Sequence, residues 1–478
     1  MITPAQARRM WIGGEWIATP RNVPVLNPAT GERIAEAPIG GREHLEAALA
    51  AAQTAFKRTR LSPAFERADL LLRVAHELER RQTEFVETLL MEAGKPIALA
   101  EAEVSRAIST FTAAGEESRR MAGEMIPMDA FSTGKGYLGM TRRFPIGCIY
   151  ALTPFNFPLN LIAHKVAPCL ATGNVMIVKP APKTPLTALL LGEVLQTAGV
   201  VPGQMNIVPC ANEDAGHLVG DPRVAMVSFT GSPAVGWRLK ERCGRQKITL
   251  ELGGNAAVVV HEDADLARVV SAIASGGFDY AGQSCISVQR VLVHRPVYEA
   301  FRSSFLAHIA AHVRAGDPRD RSNVSGPMID PAALERVLGW IRLAVSGGAT
   351  LLTGGTAHGP YLDPTVLENV TPDMEVCSRE VFAPLVVLQS YERFEDALAM
   401  VNDSDFGLQA GVFTQDVQRA FQAFETLEVG AVLINTVPTF RVEQMPYGGV
   451  KQSGFGREGI RYAMEDMTEI RSLILKLS

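Results

Sequence analysis

The chain has 478 residues, more than one ordinary core accommodates, so two large domains with a small appended element are expected. A composition of 47% apolar and 20% charged residues is that of a globular protein, and no run of about 18 uninterrupted apolar residues is present to cross a bilayer, so no membrane span is expected. A formal net charge of −5, without any Lys/Arg block or basic stripe interleaved with aromatics, gives nucleic-acid binding little electrostatic support.

In chain order, Trp11-Ile-Gly-Gly-Glu-Trp16 reads as a tight hairpin. Apolar spacing then predicts helices over about 43–60, 64–92 and 97–122, with Gly94 and Pro96 stopping the second. From Ile146 the texture changes to short apolar runs alternating with helical segments: Ile146–Leu152, Val175–Lys179, Met205–Pro209, Val224–Phe229, Ile248–Leu252 and Ala256–Val260. That is the pattern of a parallel α/β sheet. A second α/β stretch runs from about 262 to 445, with strand-like Arg290–His294 and Val432–Asn435. Residues 124–144 suit an excursion outside the first domain. The run from Ile470 to Ser478 reads as a strand too hydrophobic for a bare sheet edge; another subunit or the chain itself could cover it. Met1–Gly14 carries Arg8 and Arg9 but lacks the apolar stretch of a secretory signal, which makes the cytoplasm the default compartment.

Two G-x-G-x-x-G matches, Gly134/Gly136/Gly139 and Gly454/Gly456/Gly459, fail the context a dinucleotide fingerprint needs. That loop works by leading a strand into a helix whose N-terminal amides receive the pyrophosphate. The first match leads into no helix, and the second follows Gly-Gly-Val-Lys rather than a strand. Val227-Ser-Phe-Thr-Gly-Ser-Pro-Ala-Val-Gly236 is a better phosphate site, with Gly231 at the turn, Ser232 as N-cap and Pro233 as first helical residue; an ordinary strand-to-helix turn reads the same way.

Six cysteines (Cys148, Cys169, Cys210, Cys243, Cys285, Cys377) are scattered without a C-x-x-C pair or His-rich cluster, which argues against a zinc site and a disulfide framework, so no metal is expected. Context singles out Cys285, in Phe278-Asp-Tyr-Ala-Gly-Gln-Ser-Cys285-Ile-Ser-Val-Gln-Arg, a polar glycine-containing loop between a helix and a strand. Thr249-Leu-Glu251-Leu-Gly-Gly-Asn sets a lone carboxylate in the apolar end of a strand, where burial raises its pKa toward that of a general base. Either residue alone reads equally well as structural.

Together these segments resemble the aldehyde dehydrogenase superfamily, and the resemblance covers essentially the whole chain. Thr153-Pro-Phe-Asn156-Phe-Pro-Leu-Asn, Gly173-Asn-Val-Met-Ile-Val-Lys179-Pro, Phe229-Thr-Gly-Ser-Pro-Ala-Val-Gly236, Glu380-Val-Phe382-Ala-Pro and Pro446-Tyr-Gly-Gly-Val-Lys-Gln-Ser-Gly454 match further family blocks in order. The resemblance implies an α/β fold: a Rossmann-like NAD(P)-binding domain (1–123 and 145–252), an α/β catalytic domain (253–462), and a small β oligomerisation element (124–144 and 463–478) that favours a homodimer or homotetramer. It further implies Cys285 as nucleophile, the Asn156 amide as oxyanion donor, Glu251 as base for hydrolysis, and Lys165 as electrostatic support or a structural salt-bridge partner. NAD or NADP would meet Thr153, Pro154, Phe155, Lys179, Ala181, Pro182, Gly231, Ser232, Leu252, Glu380 and Phe382.

Pro182 stands where many NAD-preferring members carry Glu, so Lys179 and Lys183 could attract a 2′-phosphate, and both cofactors stay open. By the resemblance, the substrate side comprises Arg106, Phe157, Leu161, His164, Ser284, Ile286, Arg441 and Tyr447. The two arginines suit a short hydroxylated or anionic aldehyde, as in the lactaldehyde and non-phosphorylating glyceraldehyde-3-phosphate dehydrogenase branch; ion pairs within or between subunits would use them otherwise. Retention of Glu251 favours release of a free acid. A CoA-acylating aldehyde dehydrogenase, a silent protein of the same fold, and a cysteine hydrolase are the alternatives.

Overall fold

A computed structural model describes residues 8–477. The first seven residues, part of the stretch read for a secretory signal, and Ser478, the end of the hydrophobic C-terminal run, lie outside the described residues. The opening hairpin forms as expected, pairing Met10–Ile12 with Glu15–Ile17. Helix α1 (Arg42–Thr59) buries Leu45, Ala48, Leu49, Ala52 and Ala55 along one stripe. The single helix expected over 64–92 is two, α2 (Ala64–Arg80) and α3 (Gln82–Ala93). They part at Arg81, whose backbone leaves helical geometry (φ −103, ψ 16) while its guanidinium bridges Glu84 and Glu193. Gly94 ends α3 in the left-handed conformation at φ 60, and Pro96 precedes α4 (Ile97–Arg120).

The first sheet holds eight strands, in the order Glu15–Ile17, Met10–Ile12, Met205–Ile207, Val175–Lys179, Cys148–Leu152, Val224–Thr230, Lys247–Glu251 and Gly454–Phe455. Its central strands are parallel and buried on both faces, which explains their near-continuous apolar runs. Helices α5 (Asn160–Thr172) and α6 (Pro185–Thr197) pack with α2–α4 in one core; α7 (Asn212–Ala215) and α8 (Pro233–Arg242) belong to the same unit. Every residue of α5 is buried.

A second sheet of seven strands runs Thr350–Thr353, Thr365–Glu368, Leu385–Tyr391, Val288–His294, Ala256–Val260, Gln409–Phe413 and Ala431–Ile434. Ala256–Val260 thus belongs here, correcting its grouping with the first set of strands. The chain crosses between the sheets at Gly253-Gly254, where a side chain is forbidden: a Cβ on Gly254 would fall 2.1 Å from the Cys285 carbonyl oxygen. Helix α9 (Leu266–Phe278), capped by the Asp265 carboxylate, covers this sheet and delivers the chain to the cysteine loop.

The hydrophobic C-terminal run is the strand Thr468–Lys476, which pairs antiparallel with Tyr137–Pro145 of its own chain over nine residues; Met125–Ile126 completes a three-stranded sheet. Ile470, Leu473, Ile474 and Leu475 remain exposed on it. No helix of the described residues is long and apolar enough to cross a membrane.

Candidate active site

Cys285 lies on a braced loop. Tyr280 and Ala281 both adopt left-handed backbone (φ 54 each), a strained arrangement for non-glycine residues. The Tyr280 hydroxyl donates to the Ala93 carbonyl at 3.1 Å, and the buried Gln283 amide donates to Pro327 O while accepting from Ile329 N. The Cys285 thiol faces the Tyr447 hydroxyl at 3.3 Å, and burial pushes it up to about 12 despite that hydrogen bond, so the resting sulfur is protonated. Asn156 is buried, and one N–H of its side-chain amide donates to the Gln283 carbonyl at 3.0 Å, leaving the second N–H available. The Cys285 backbone N–H finds no acceptor among the described backbone groups. Two donors are therefore free on residues that line the cavity holding the sulfur.

Glu251 ends the seventh strand of the first sheet, buried, with neither carboxylate oxygen hydrogen-bonded. Burial, reinforced by the charge of Glu458, holds its pKa well above the usual carboxylate range, and its charge would in turn raise that of the Cys285 thiol. Lys165 serves a salt bridge: its ammonium donates at 2.9 Å to Ser228 Oγ and at 2.9 Å to Glu458 Oε1. Glu458 also lies 3.3 Å from Arg441, and these cations hold its carboxyl near 2 against burial.

Asn156, Phe157, Leu161, His164, Ser284, Cys285, Ile286, Arg106, Arg441 and Tyr447 all line one cavity of about 270 Å³. Arg441 is buried, with its guanidinium 3.7 Å over the Tyr447 ring, and its Nε has no partner. Arg106 is a third exposed and 3.2 Å from Glu443. His164 Nε2 lies 2.8 Å from the same Glu443; burial lowers the His164 pKa to about 4, so the ring is neutral. Both arginines thus carry intramolecular ion pairs and still face the cavity. The motif reading missed Lys95, Glu103, Asp279, Glu443 and Glu458. Gly94-Lys95-Pro96 read only as a helix stop, and the three acidic partners Glu103, Glu443 and Glu458 have no local signal.

A second cleft of about 630 Å³ runs along the carboxyl ends of the first sheet and is lined by Thr153, Pro154, Phe155, Lys179, Ala181, Pro182, Gly231 and Ser232. The Lys179 ammonium donates to Asn212 Oδ1 at 2.7 Å. Ser232 occupies the N-cap of α8, but its hydroxyl caps no amide, a departure from the expected cap. Lys183 is paired with Asp330 and stays partly exposed. Leu252, Glu380 and Phe382 are not among the residues lining the cleft: the Glu380 carboxylate accepts from Gly254 N at 3.0 Å, and the Phe382 ring meets Phe155 of the cleft edge-on at 5.9 Å. The cleft fits a dinucleotide. Thr153 Oγ1 and Thr230 Oγ1 are buried without partners, burial holds the Glu380 carboxyl near 7, and the N-terminus of α8 opens toward the space where a pyrophosphate would lie.

Elsewhere, His261, Glu262 and His294 gather three groups of the metal-binding type. The two imidazoles stack at 4.4 Å, 11° apart, which keeps their in-plane lone pairs in separate planes, and the rings are engaged by Tyr391 and the Glu392 carbonyl.

The aldehyde dehydrogenase family profile matches residues 16–473. The chain is 41% identical to 3-sulfolactaldehyde dehydrogenase of Priestia aryabhattai over 477 residues, covering 100% of this chain and 99% of that protein. Among solved structures, aldehyde dehydrogenase 21 from Physcomitrella patens, in complex with the reaction product succinate, superposes with a TM-score of 0.97 at 40% identity, covering 99% of this chain and 98% of that one. Glyceraldehyde-3-phosphate dehydrogenase GapN from Methanocaldococcus jannaschii, complexed with NADP, gives a TM-score of 0.92 at 36% identity, covering 96% and 100%. A cavity that holds the cysteine with two free donors, an unpaired buried glutamate that acts on the thiol's charge and a second cleft fit for a dinucleotide agree with this full-length similarity, and the chain belongs to the aldehyde dehydrogenase family.

Proposed function

We propose that this NAD(P)-dependent aldehyde dehydrogenase oxidises a short hydroxylated or anionic aldehyde to its free acid through a thioester on Cys285. The observation that carries the reading is the convergence on one cavity of Cys285, the Asn156 amide and the Cys285 backbone N–H, with the unpaired Glu251 carboxyl close enough to act on the thiol's charge. Cys285 passes its thiol proton to the ionised Glu251 carboxylate, which returns it to solvent before hydrolysis; the sulfur attacks the aldehyde carbon, and the oxygen that becomes negative is held by those two N–H groups. Bound NAD or NADP supplies the hydride acceptor. Lys179 and Glu380 are the candidates for its riboses, Gly231 and Ser232 for its pyrophosphate, and Phe382 for its nicotinamide end; Thr153, Pro154, Phe155, Ala181 and Pro182 line the same cleft, and Leu252, next to Glu251, is a further candidate contact. Glu251, whose carboxyl pKa is raised above the usual carboxylate range by burial and the charge of Glu458, takes in its ionised form a proton from the water that cleaves the thioester. Lys165 acts at a distance by keeping Glu458 charged and in place.

The substrate class is supported by the partnerless Nε of Arg441 and the half-open Arg106, and by a relative named for an aldehyde with a sulfonate and a hydroxyl group. We assign residues 1–123 with 145–252 to cofactor binding, 253–462 to catalysis, and 124–144 with 463–478 to assembly of a cytoplasmic homodimer or homotetramer. The test follows reduced-nicotinamide absorbance with lactaldehyde, glycolaldehyde, glyceraldehyde 3-phosphate, succinate semialdehyde, benzaldehyde and hexanal, each with NAD and NADP, beside Cys285→Ala. Turnover confined to short hydroxylated or anionic aldehydes and lost in the variant supports the reading. Preference for hexanal or benzaldehyde would overturn the substrate class, and turnover surviving in Cys285→Ala would overturn the mechanism.

A further inference from the structure

Asn156 and Cys285 reach the site from different sheets, and the Asn156–Gln283 hydrogen bond that ties their loops is backed by a second joint. The Gly94-Lys95-Pro96 connection between α3 and α4 stands at that junction. Lys95 is fully buried, and its ammonium lies 3.6 Å from the centroid of the Phe157 ring and 4.4 Å from that of Tyr280. Phe157 follows Asn156 directly; Tyr280 begins the strained turn of the cysteine loop, and the two rings meet edge-on at 6.0 Å. The charge of Lys95 is answered by Glu103 of α4, also buried, through one carboxylate oxygen. The other oxygen accepts the backbone N–H groups of Leu159 and Asn160 at 3.0 and 3.1 Å. These are the first amides of α5, whose N-cap residue, Leu159, has no side chain able to cap them. A side chain from another helix therefore supplies the cap, and its counter-charge sits between the two aromatic rings. The Tyr280 hydroxyl closes the joint on the Ala93 carbonyl, two residues before Lys95.

We infer that Lys95 and Glu103 are positioning residues for the oxidation: they join the loop carrying Asn156 to the loop carrying Cys285 and so set the oxyanion donor against the nucleophile. The inference rests on the proposed role of Asn156. Lys95 and Glu103 also line the substrate cavity; Lys95 acts here through the two rings, and the KM readout separates this from direct contact with the aldehyde. A buried cation against two aromatic rings resists displacement, because without it the buried Glu103 carboxylate loses its counter-charge.

The test is a double-mutant cycle of Lys95→Met with Asn156→Ala, read by kcat and KM for the best aldehyde and by cofactor Kd from fluorescence titration. Methionine keeps the shape and apolar contact while removing the charge. Lys95→Met is expected to lower kcat by about 10- to 100-fold, approaching the loss of one oxyanion donor, with KM and cofactor Kd within about threefold of the unsubstituted enzyme. Added to Asn156→Ala it is expected to lower kcat less than about threefold further, because the group it positions is already gone. Losses that multiply in the double variant, or an unchanged kcat in Lys95→Met, overturn the inference. If Asn156→Ala alone leaves kcat unchanged, the oxyanion reading has failed, and the inference falls with it. Should Lys95→Met fail to fold, Glu103→Gln, whose amide oxygen can still accept the two α5 amides, takes its place in the same cycle.

Discussion

Replacing Tyr447 by Phe isolates one hydrogen bond at the sulfur. The phenol lies 3.3 Å from Cys285 Sγ, while its ring supports the Arg441 guanidinium at 3.7 Å; Phe keeps the second contact and loses the first. Burial is the larger influence on the thiol, pushing it up to about 12, and the phenol pulls in the other direction. Removing the phenol therefore raises the thiol further and leaves less thiolate at any working pH. A hydrogen bond to a charged group contributes about 1.5–3 kcal/mol, roughly one to two decades of thiolate population. A more basic thiolate is also more nucleophilic, which returns about 0.4–0.5 of each decade, so the net loss of reactivity is roughly 3- to 10-fold. Alkylation of Cys285 by iodoacetamide, followed by mass spectrometry across pH 7–9, measures it directly, and cofactor affinity should not change. Equal or faster alkylation in Tyr447→Phe would refute the argument that the phenol stabilises the thiolate.

Arg106→Ala is expected to lower kcat/KM for anionic aldehydes by roughly 10- to 100-fold, the value of one charged contact, and to leave lactaldehyde within about threefold, as steady-state kinetics with both substrates would register. Acid stability should reflect His164 and Glu443. The His164 pKa is lowered from 6.5 to about 4, so the unfolded chain binds a proton first and stability falls as pH drops from about 6.5 toward 4; the Glu443 carboxyl, lowered from 4.5 to about 2, loses its contribution as pH falls through that lower range. Thermal unfolding from pH 8 to 4 should show this decline, and His164→Gln should flatten its upper part. Charges placed on the exposed C-terminal strand, as in Leu473→Lys with Leu475→Lys, should reduce the native mass in light scattering to that of a monomer if this strand lies in the subunit interface.

The parts of the site that announce themselves in sequence are those whose chemistry is local. Cys285 follows Gly282, which passes close to the Ala383 carbonyl, and Glu251 precedes Gly253-Gly254, which pass close to Glu380 and the Cys285 carbonyl; short motifs record those requirements. The parallel strands were legible as apolar runs because both their faces are covered. Partners distant in sequence were not legible: Glu103 caps a helix that starts 57 residues later, and Glu443 joins Arg106 across 337 residues. Local composition holds no trace of either pairing. The break at Arg81 escaped for a related reason, since apolar residues continue through α2 and α3 and one of the two carboxylates that engage Arg81 there, Glu193, is distant in sequence. Ala256–Val260 was assigned to the wrong sheet because an apolar run reports burial and not the neighbour that buries it.

The thioester is tested most directly with Glu251→Gln, which keeps the shape of the carboxyl and removes its basicity. Mixed with excess aldehyde and cofactor and quenched in acid, this variant should form about one reduced nicotinamide per subunit and then stall, with the acyl mass found by peptide mass spectrometry on Cys285 alone. Undiminished steady turnover, or a stalled enzyme whose Cys285 carries no acyl group, would contradict the assignment of Cys285 as the acyl carrier and Glu251 as the base that releases it.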